Sequence, residues 1–256
     1  MWVYRLKGTL DELDPLLPEL FDRGARGLEE RAGEVLAYFP APLDLPFGGE
    51  WEELPDEDWL SAWKRDLSPV EAGPFVVLAP WHAWEGSGKR IVLEPGMAFG
   101  TGHHETTRMA LSALGRHARP GGKALDLGTG SGILAIGAAL LGMEALGVDI
   151  DPTVLPQAEE NARRNGVTPR FLLGSLEEAL PHGPFDLLLA NLYAELHQAL
   201  AEGYKKALKP GGVALLTGIL KAKAEGVEEA LEGAGLRVLE REEAGEWVLY
   251  AAAPRL

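Results

Sequence analysis

The stretch Lys123 to Gly132, KALDLGTGSG, carries more structural information than any other part of the chain. Ala124-Leu125-Asp126-Leu127 is a short apolar run broken by one acid, and it stops at three glycines, Gly128, Gly130 and Gly132. The following residues, Ile133 to Leu141, are small and apolar and include no proline, which is the pattern of a buried helix. The order is therefore strand, glycine turn, helix. Glycines at such a turn permit positive φ and bring a ligand directly against the backbone, while the first N–H groups of the helix point at it.

The spacing narrows the ligand. A dinucleotide-binding turn would read G-x-G-x-x-G, whereas this one reads G-x-G-x-G with Asp126 two residues ahead of the first glycine. Roughly 20 residues on, the run Ala145-Leu146-Gly147-Val148 ends in Asp149, the place for an acid that accepts hydrogen bonds from ribose hydroxyls. A nucleoside is the expected ligand. Asp126 beside the turn argues against a pyrophosphate, because like charges would meet in a partly dry cleft, and it favours a cationic sulfonium. The glycines alone would fit any tight strand-to-helix turn; the two acids in register are what point to a nucleoside.

Composition sets the bounds. With 256 residues and 46% hydrophobic content, the chain can bury one large core and a small satellite. No apolar run reaches membrane-spanning length and the first residues, Met1-Trp2-Val3-Tyr4-Arg5, lack a signal-peptide pattern, so a cytoplasmic protein with no membrane partner is expected. The absence of cysteine excludes disulfides, thiolate metal sites and cysteine nucleophiles. A net charge of −15 disfavours a surface that tracks nucleic-acid phosphates and suits a basic partner.

Upstream, Trp2 to Lys7 alternates as a strand does. Thr9 with Glu12 forms a capping box for a helix ending near Gly24, and Arg26 to Arg31 and Glu34 to Phe39 are two further strands. This β-α-β-β unit is followed by Pro40, Pro42, Pro46 and Gly48-Gly49, which mark the edge of a small first domain, residues 1–54. Pro55 to Leu67 is expected to be a helix with Trp59, Leu60, Trp63 and Leu67 on one stripe. It serves either as a linker, residues 55–68, or as a helix packed on its own domain. The remainder, residues 69–256, forms the second domain, with strands at Phe75–Leu78 and Arg90–Leu93 and the aromatics Trp81, His82 and Trp84 between them.

Glu94 to Thr107, EPGMAFGTGHHETT, places three glycines, two histidines and two adjacent threonines between a strand and another helix. The paired histidines fit no standard zinc spacing, so no metal is expected, and the segment reads as a glycine-rich flap beside the nucleoside pocket with Thr106 and Thr107 at the helix start. Strands and helices then alternate to the end of the chain. The strand Phe185 to Ala190 leads into Asn191-Leu192-Tyr193-Ala194, and the last two strands, Leu236–Glu243 and Trp247–Ala252, are too close in sequence for a helical crossover and pair antiparallel.

These features together resemble class I S-adenosylmethionine-dependent methyltransferases, over about Pro95 to Leu256. More narrowly, Ala98 to Thr107 and Asn191-Leu192-Tyr193-Ala194 resemble the PrmA family, which methylates large-subunit ribosomal protein eleven. The resemblance implies an α/β, Rossmann-like sheet, parallel except for a C-terminal antiparallel hairpin, preceded by a small α+β substrate-recognition domain. It implies S-adenosylmethionine as cofactor, S-adenosylhomocysteine as product, no metal, and trimethylation of lysine side chains and of the substrate's α-amine by a monomer. Its cofactor contacts carry over to Thr107, Gly128, Gly130, Asp149 and Asn191, and its flap to Phe99, Thr101, Gly102 and His104.

A lysine ammonium, with a pKa of about 10.4, has no lone pair to give. Desolvation beside a sulfonium lowers that pKa, and the Asn191 side-chain carbonyl and the Leu192 backbone carbonyl are the candidates to accept the amine hydrogens and aim the lone pair. Asn191 also suits a helix N-cap. The Asn-Leu-Tyr run is similar to the Asn-Pro-Pro-Tyr of enzymes that methylate base or glutamine nitrogens, which leaves that activity as the alternative, although both prolines are replaced. A dehydrogenase would need the other glycine spacing, and a non-catalytic binding module would not need every cofactor position filled.

Overall fold

A computed structural model describes residues 2–13, 16–31, 33–53, 68–94 and 104–255. The chain divides into two compact units, residues 1–68 and 69–256.

In the first unit, β1 (Trp2–Lys7), β2 (Gly27–Arg31), β3 (Glu34–Phe39) and β4 (Glu50–Glu53) form an antiparallel sheet in the order β2-β3-β1-β4. The expected helix is described as two pieces, α1 (Leu10–Leu13) and α2 (Leu17–Asp22). The capping box forms as read: the Thr9 N–H donates to Glu12 Oε2 at 3.0 Å and the Glu12 N–H to Thr9 Oγ1 at 3.2 Å. The proline- and glycine-rich stretch is an internal connection rather than an edge, because β4 follows it and joins the sheet. Tyr4 holds that stretch in place, its hydroxyl accepting from the Gly49 N–H at 2.8 Å. Trp51 of β4 packs on Tyr4 and Phe39, with ring centroids 4.8 and 5.2 Å away. This unit has its own core of Tyr4, Leu6, Leu20, Val35, Ala37 and Phe39. The expected helix at Pro55–Leu67 lies outside the described residues.

The second unit is built on a seven-stranded sheet. Its strands are β8 (Lys123–Leu127), β9 (Glu144–Asp149), β10 (Arg170–Leu173), β11 (Phe185–Asn191), β12 (Leu208–Leu220), β13 (Leu236–Ala244) and β14 (Trp247–Pro254), in the order β10-β9-β8-β11-β12-β14-β13. The first five are parallel, and β14 runs antiparallel to both neighbours. β12 is longer than the expected Val213–Thr217 because Leu208 already pairs with Phe185; the register then skips to Leu187 opposite Val213, so Lys209–Gly212 fall out of the ladder. Side chains alternate between two cores. Leu125, Leu127, Leu146, Val148, Leu188 and Leu216 face α6 (Leu176–Ala179), α7 (Ala194–Ala207) and α8 (Ala224–Gly233). Ala124, Ala145, Leu187, Leu189 and Leu215 face α3 (Glu105–His117), α4 (Ile133–Leu140) and α5 (Leu155–Arg164), together with Phe75, Val77 and Ile91. A sheet covered on both faces needs apolar residues at nearly every position, which is why β11 reads as a continuous hydrophobic run.

Phe75, Val77 and Ile91 belong to a separate three-stranded sheet of β5 (Val70–Ala72), β6 (Phe75–Leu78) and β7 (Lys89–Val92). Neither β5 nor α6 is among the elements expected from the sequence, although Ser175 and Glu178 form a capping box at the start of α6. No described helix is long and apolar enough to cross a membrane.

Candidate active site

β9 and β10 lie to one side of β8, and β11 and β12 to the other, so the chain direction switches between β8 and β11. In open parallel sheets the crevice outside the carboxyl ends at such a switch is where ligands bind. A cavity of about 530 Å³ occupies that position. Gly128 and Gly130 after β8, Asp149 at the end of β9, Ser175 after β10, Asn191 and Leu192 at the end of β11, and Thr107 of α3 all line it.

The glycine turn has the conformation that its residues allow. Gly128, Gly130 and Gly132 have φ of 72°, 50° and 82°, a region that side-chain-bearing residues rarely enter. Two carboxylates tie it down. Asp149 Oδ2 accepts from the Gly130 N–H at 2.9 Å, and its Oδ1 accepts from the Asp151 N–H at 3.0 Å. Each oxygen keeps a further lone pair for a ligand hydroxyl. Asp126 is buried, and its Oδ2 accepts from the Thr129 hydroxyl at 2.7 Å and from the Ala135 N–H at 3.0 Å. Burial, with a smaller contribution from the nearby Asp149 charge, pushes its carboxyl up to about 6. On the far side, Asn161 is fully buried and links the turn to Glu94, donating to Ser131 O at 2.9 Å and accepting from the Glu94 N–H at 3.3 Å.

Asn191 does not cap a helix. The N-cap of α7 is Tyr193, and Asn191 Nδ2 instead donates to Thr106 Oγ1 at 3.1 Å. Thr106 Oγ1 lies 2.7 Å from His104 Nδ1, which also accepts from the Thr106 N–H at 3.3 Å. His104 Nδ1 is thus an acceptor, the Thr106 hydroxyl donates to it, and that hydroxyl accepts from Asn191. This chain orients the amide, so Asn191 Oδ1 carries the free lone pairs. The helix start differs from the reading in the same way: His104 caps α3, and the two threonines lie within its first turn. The His104 ring also packs edge-on against Trp247, centroid to centroid 5.0 Å. Phe99, Thr101 and Gly102 lie outside the described residues, so the flap is represented only by His104.

Sequence reasoning missed Thr106 as a partner of Asn191, and Thr129 and Asn161 as supports of the turn. Thr129 was legible in principle, since it stands between the first two glycines of the motif. Asn161 was not, because its partners lie 30 and 67 residues away.

The family model for ribosomal protein L11 methyltransferase (PrmA) matches residues 36–254, which takes in the cavity, its acids and the Asn191 turn. The chain belongs to the ribosomal protein L11 methyltransferase family. A relative of that name from Thermus thermophilus is 72% identical over 251 residues, covering 98% of this chain and 99% of the relative. Another from Deinococcus radiodurans is 46% identical over 98% of both chains. The crystal structure of ribosomal protein L11 methylase from Lactobacillus delbrueckii subsp. bulgaricus superimposes with a TM-score of 0.69 at 30% identity, covering 74% of this chain and 100% of that one. This member of the family is an S-adenosylmethionine-dependent methyltransferase with the class I α/β fold.

The residues present fit that cofactor. Thr107 Oγ1 is buried at the cavity and has no partner among the described residues, which is the state expected of a group that bonds to a ligand. Asp149 offers lone pairs for ribose hydroxyls, and the glycine turn leaves backbone open to the cavity. Among the described residues no group of three or more His, Cys, Asp or Glu is placed to hold a metal ion.

The pH dependence of Asp126 is testable without cofactor. Its folded-state pKa of about 6 lies above the ordinary value of 3.8, so its contribution to stability is fully present below pH 3.8 and is lost as pH rises through 6. In Asp126→Asn the carboxamide oxygen can take both hydrogen bonds and nothing ionises. The variant should therefore gain on the wild type by up to about 3 kcal/mol between pH 4 and 7. Denaturant melts at several pH values read this difference directly, and a constant offset would assign Asp126 an ordinary pKa.

Proposed function

We propose that this chain transfers methyl groups to lysine side chains and to the N-terminal α-amine of ribosomal protein L11, up to trimethylation. The reading further assigns residues 1–54 to substrate recognition, residues 55–68 to a linker and residues 69–256 to catalysis, in a cytoplasmic monomer that does not bind nucleic acid. The observation that carries the choice of substrate is the 72% identity with the Thermus thermophilus ribosomal protein L11 methyltransferase, which extends over 98% of this chain and so includes both units.

In this reading Thr107, Gly128, Gly130 and Asp149 hold S-adenosylmethionine, which supplies an electrophilic methyl group on a sulfonium when bound. The protein's task at the other reactant is to hold a neutral amine with its lone pair aimed. In the first transfer Asn191 Oδ1, oriented by the bond from Nδ2 to Thr106, accepts one amine hydrogen and the Leu192 carbonyl accepts the other; the monomethylated amine keeps one of these bonds, and the dimethylated amine, which has no N–H, is placed by the shape of the cavity alone. Gly218 lets these two acceptors lie close to β12: it has φ of 82°, and a Cβ there would come within 2.4 Å of Leu192 O and 2.9 Å of Asn191 Oδ1. The amine loses its proton more readily in this environment, since leaving water and approaching a cation both disfavour the ammonium. A dedicated strong base is then unnecessary.

Unmodified L11 incubated with the enzyme and labelled S-adenosylmethionine should gain methyl groups, counted per site by mass spectrometry. L11 left unlabelled while bases or glutamine side chains acquired label would overturn the assignment. The cofactor half is tested by Asp149→Ala, which should weaken S-adenosylmethionine binding by about 1–3 kcal/mol, the cost of leaving buried polar groups unpaired. Unchanged affinity by calorimetry would remove Asp149 from the site.

A further inference from the structure

The buried polar residues of the described chain fall into two groups. Thr106, Thr107, Asp126, Thr129, Ser131 and Asn161 belong to the glycine turn, the start of α3 and their supports; His197 and Thr217 remain. His197, near the start of α7, is fully buried, with Nε2 2.9 Å from Thr217 O and Nδ1 3.0 Å from the hydroxyl of Tyr204, which is itself fully buried. A carbonyl offers only lone pairs, so Nε2 carries the proton and donates to Thr217, while Nδ1 accepts from Tyr204. The Tyr204 hydroxyl thereby selects one neutral tautomer. Burial acts in the same direction, pushing the imidazole down to about 4.

Thr217 is the residue of β12 paired with Asn191, and its carbonyl also accepts from the Leu192 N–H at 3.0 Å. The next residue is Gly218, which leaves no room for a side chain between β12 and the Leu192 carbonyl. One acceptor on β12 therefore takes two donors, the amide of Leu192 and the ring of His197. A phenylalanine or a leucine could fill the same volume without placing an imidazole in an apolar core, where a polar group is costly unless paired. What the histidine adds is a directed N–H to the carbonyl that anchors Leu192.

We propose that His197 is a positioning residue for methyl transfer: by holding the Thr217 carbonyl, it fixes the Leu192 peptide and so the directions of Leu192 O and Asn191 Oδ1. The proposal rests on the assignment of those two atoms as the amine acceptors. His197 touches neither amine nor cofactor; it acts through the Thr217 carbonyl and through its own contact with the Leu192 backbone.

The test compares His197→Gln with His197→Met in the full chain. The two side chains have nearly the same length and shape, but only glutamine can donate to Thr217 O. His197→Gln should keep most of kcat, and His197→Met should lose about 10- to 100-fold, the scale expected when a reacting group is misplaced by about 1 Å. The Kd for S-adenosylmethionine should stay within about twofold of wild type in both. Adding Tyr204→Phe to His197→Met removes the hydroxyl left unpaired and should restore Tm without restoring kcat. Equal kcat in the Gln and Met variants, or recovery of kcat together with Tm in the double variant, would overturn the proposal and leave the pair a packing feature. Asn191→Ala is measured beside them. If it loses kcat while His197→Met does not, the positioning role alone fails; if Asn191→Ala keeps kcat, the assignment beneath it fails too.

Discussion

Removal of residues 1–68 should leave a folded protein that binds S-adenosylmethionine and has lost nearly all of its activity on L11. Survival of the fold is expected because, among the described residues, the two cores of the larger unit draw on residues from Val70 onward, whereas the core of the smaller unit draws on Tyr4 to Trp51. The cut belongs after Ser68 rather than after Gly49, since a cut at Gly49 would strand β4, which pairs with β1. Loss of activity is expected if the small unit holds the substrate. If the methylated groups are lysine side chains and a chain-terminal α-amine, as proposed, they enter one cavity in different orientations, and contacts to flanking sequence within the cavity cannot be tight. A docking unit on the same chain instead supplies the amine at an effective concentration of about millimolar. Without it, kcat/KM on L11 should fall by roughly 10²–10⁴-fold, while the Kd for S-adenosylmethionine is unchanged. Methyl transfer to L11 near the wild-type rate would show that recognition resides in residues 69–256.

Asn191→Ala should lower kcat by about 100-fold and Tm only slightly. The large term is positional: the variant loses the bond to Thr106 and, in the proposed arrangement, the acceptor at Oδ1, which leaves Leu192 O alone to hold the amine. The small term follows from the loss of one side-chain hydrogen bond, worth about 0.5–1.5 kcal/mol, at a residue that does not cap α7. Because Asn191 also lines the cofactor cavity, a modest loss of S-adenosylmethionine affinity is expected as well. A fall in kcat matched by an equal fall in kcat/KM would identify an interaction made at the transition state. Activity that declines only as far as Tm predicts would make the residue structural.

The parts of this protein whose physics is local are legible in the order of its residues. Three glycines in five residues can be read as a turn because positive φ is a property of each residue, and Asp149 can be placed opposite them because a strand–turn–helix–strand unit has a nearly constant length. Thr9 with Glu12 predicted its own two hydrogen bonds, and the short link between the last two strands required them to be antiparallel. Features that depend on partners far apart in the chain emerge only in the folded protein. Nothing local to Trp247–Pro254 says that this strand inserts between β12 and β13, since either edge of a hairpin can meet β12. Nothing near Asn191 shows that its amide is oriented by Thr106, 85 residues earlier, rather than by the helix that follows it. His197 reads as one more polar residue on an amphipathic helix, and only the packing of α7 against β12 buries it on the Thr217 carbonyl. The residues that carry a cofactor motif are thus legible one by one, whereas those that aim it are defined by which elements the folded sheet brings together.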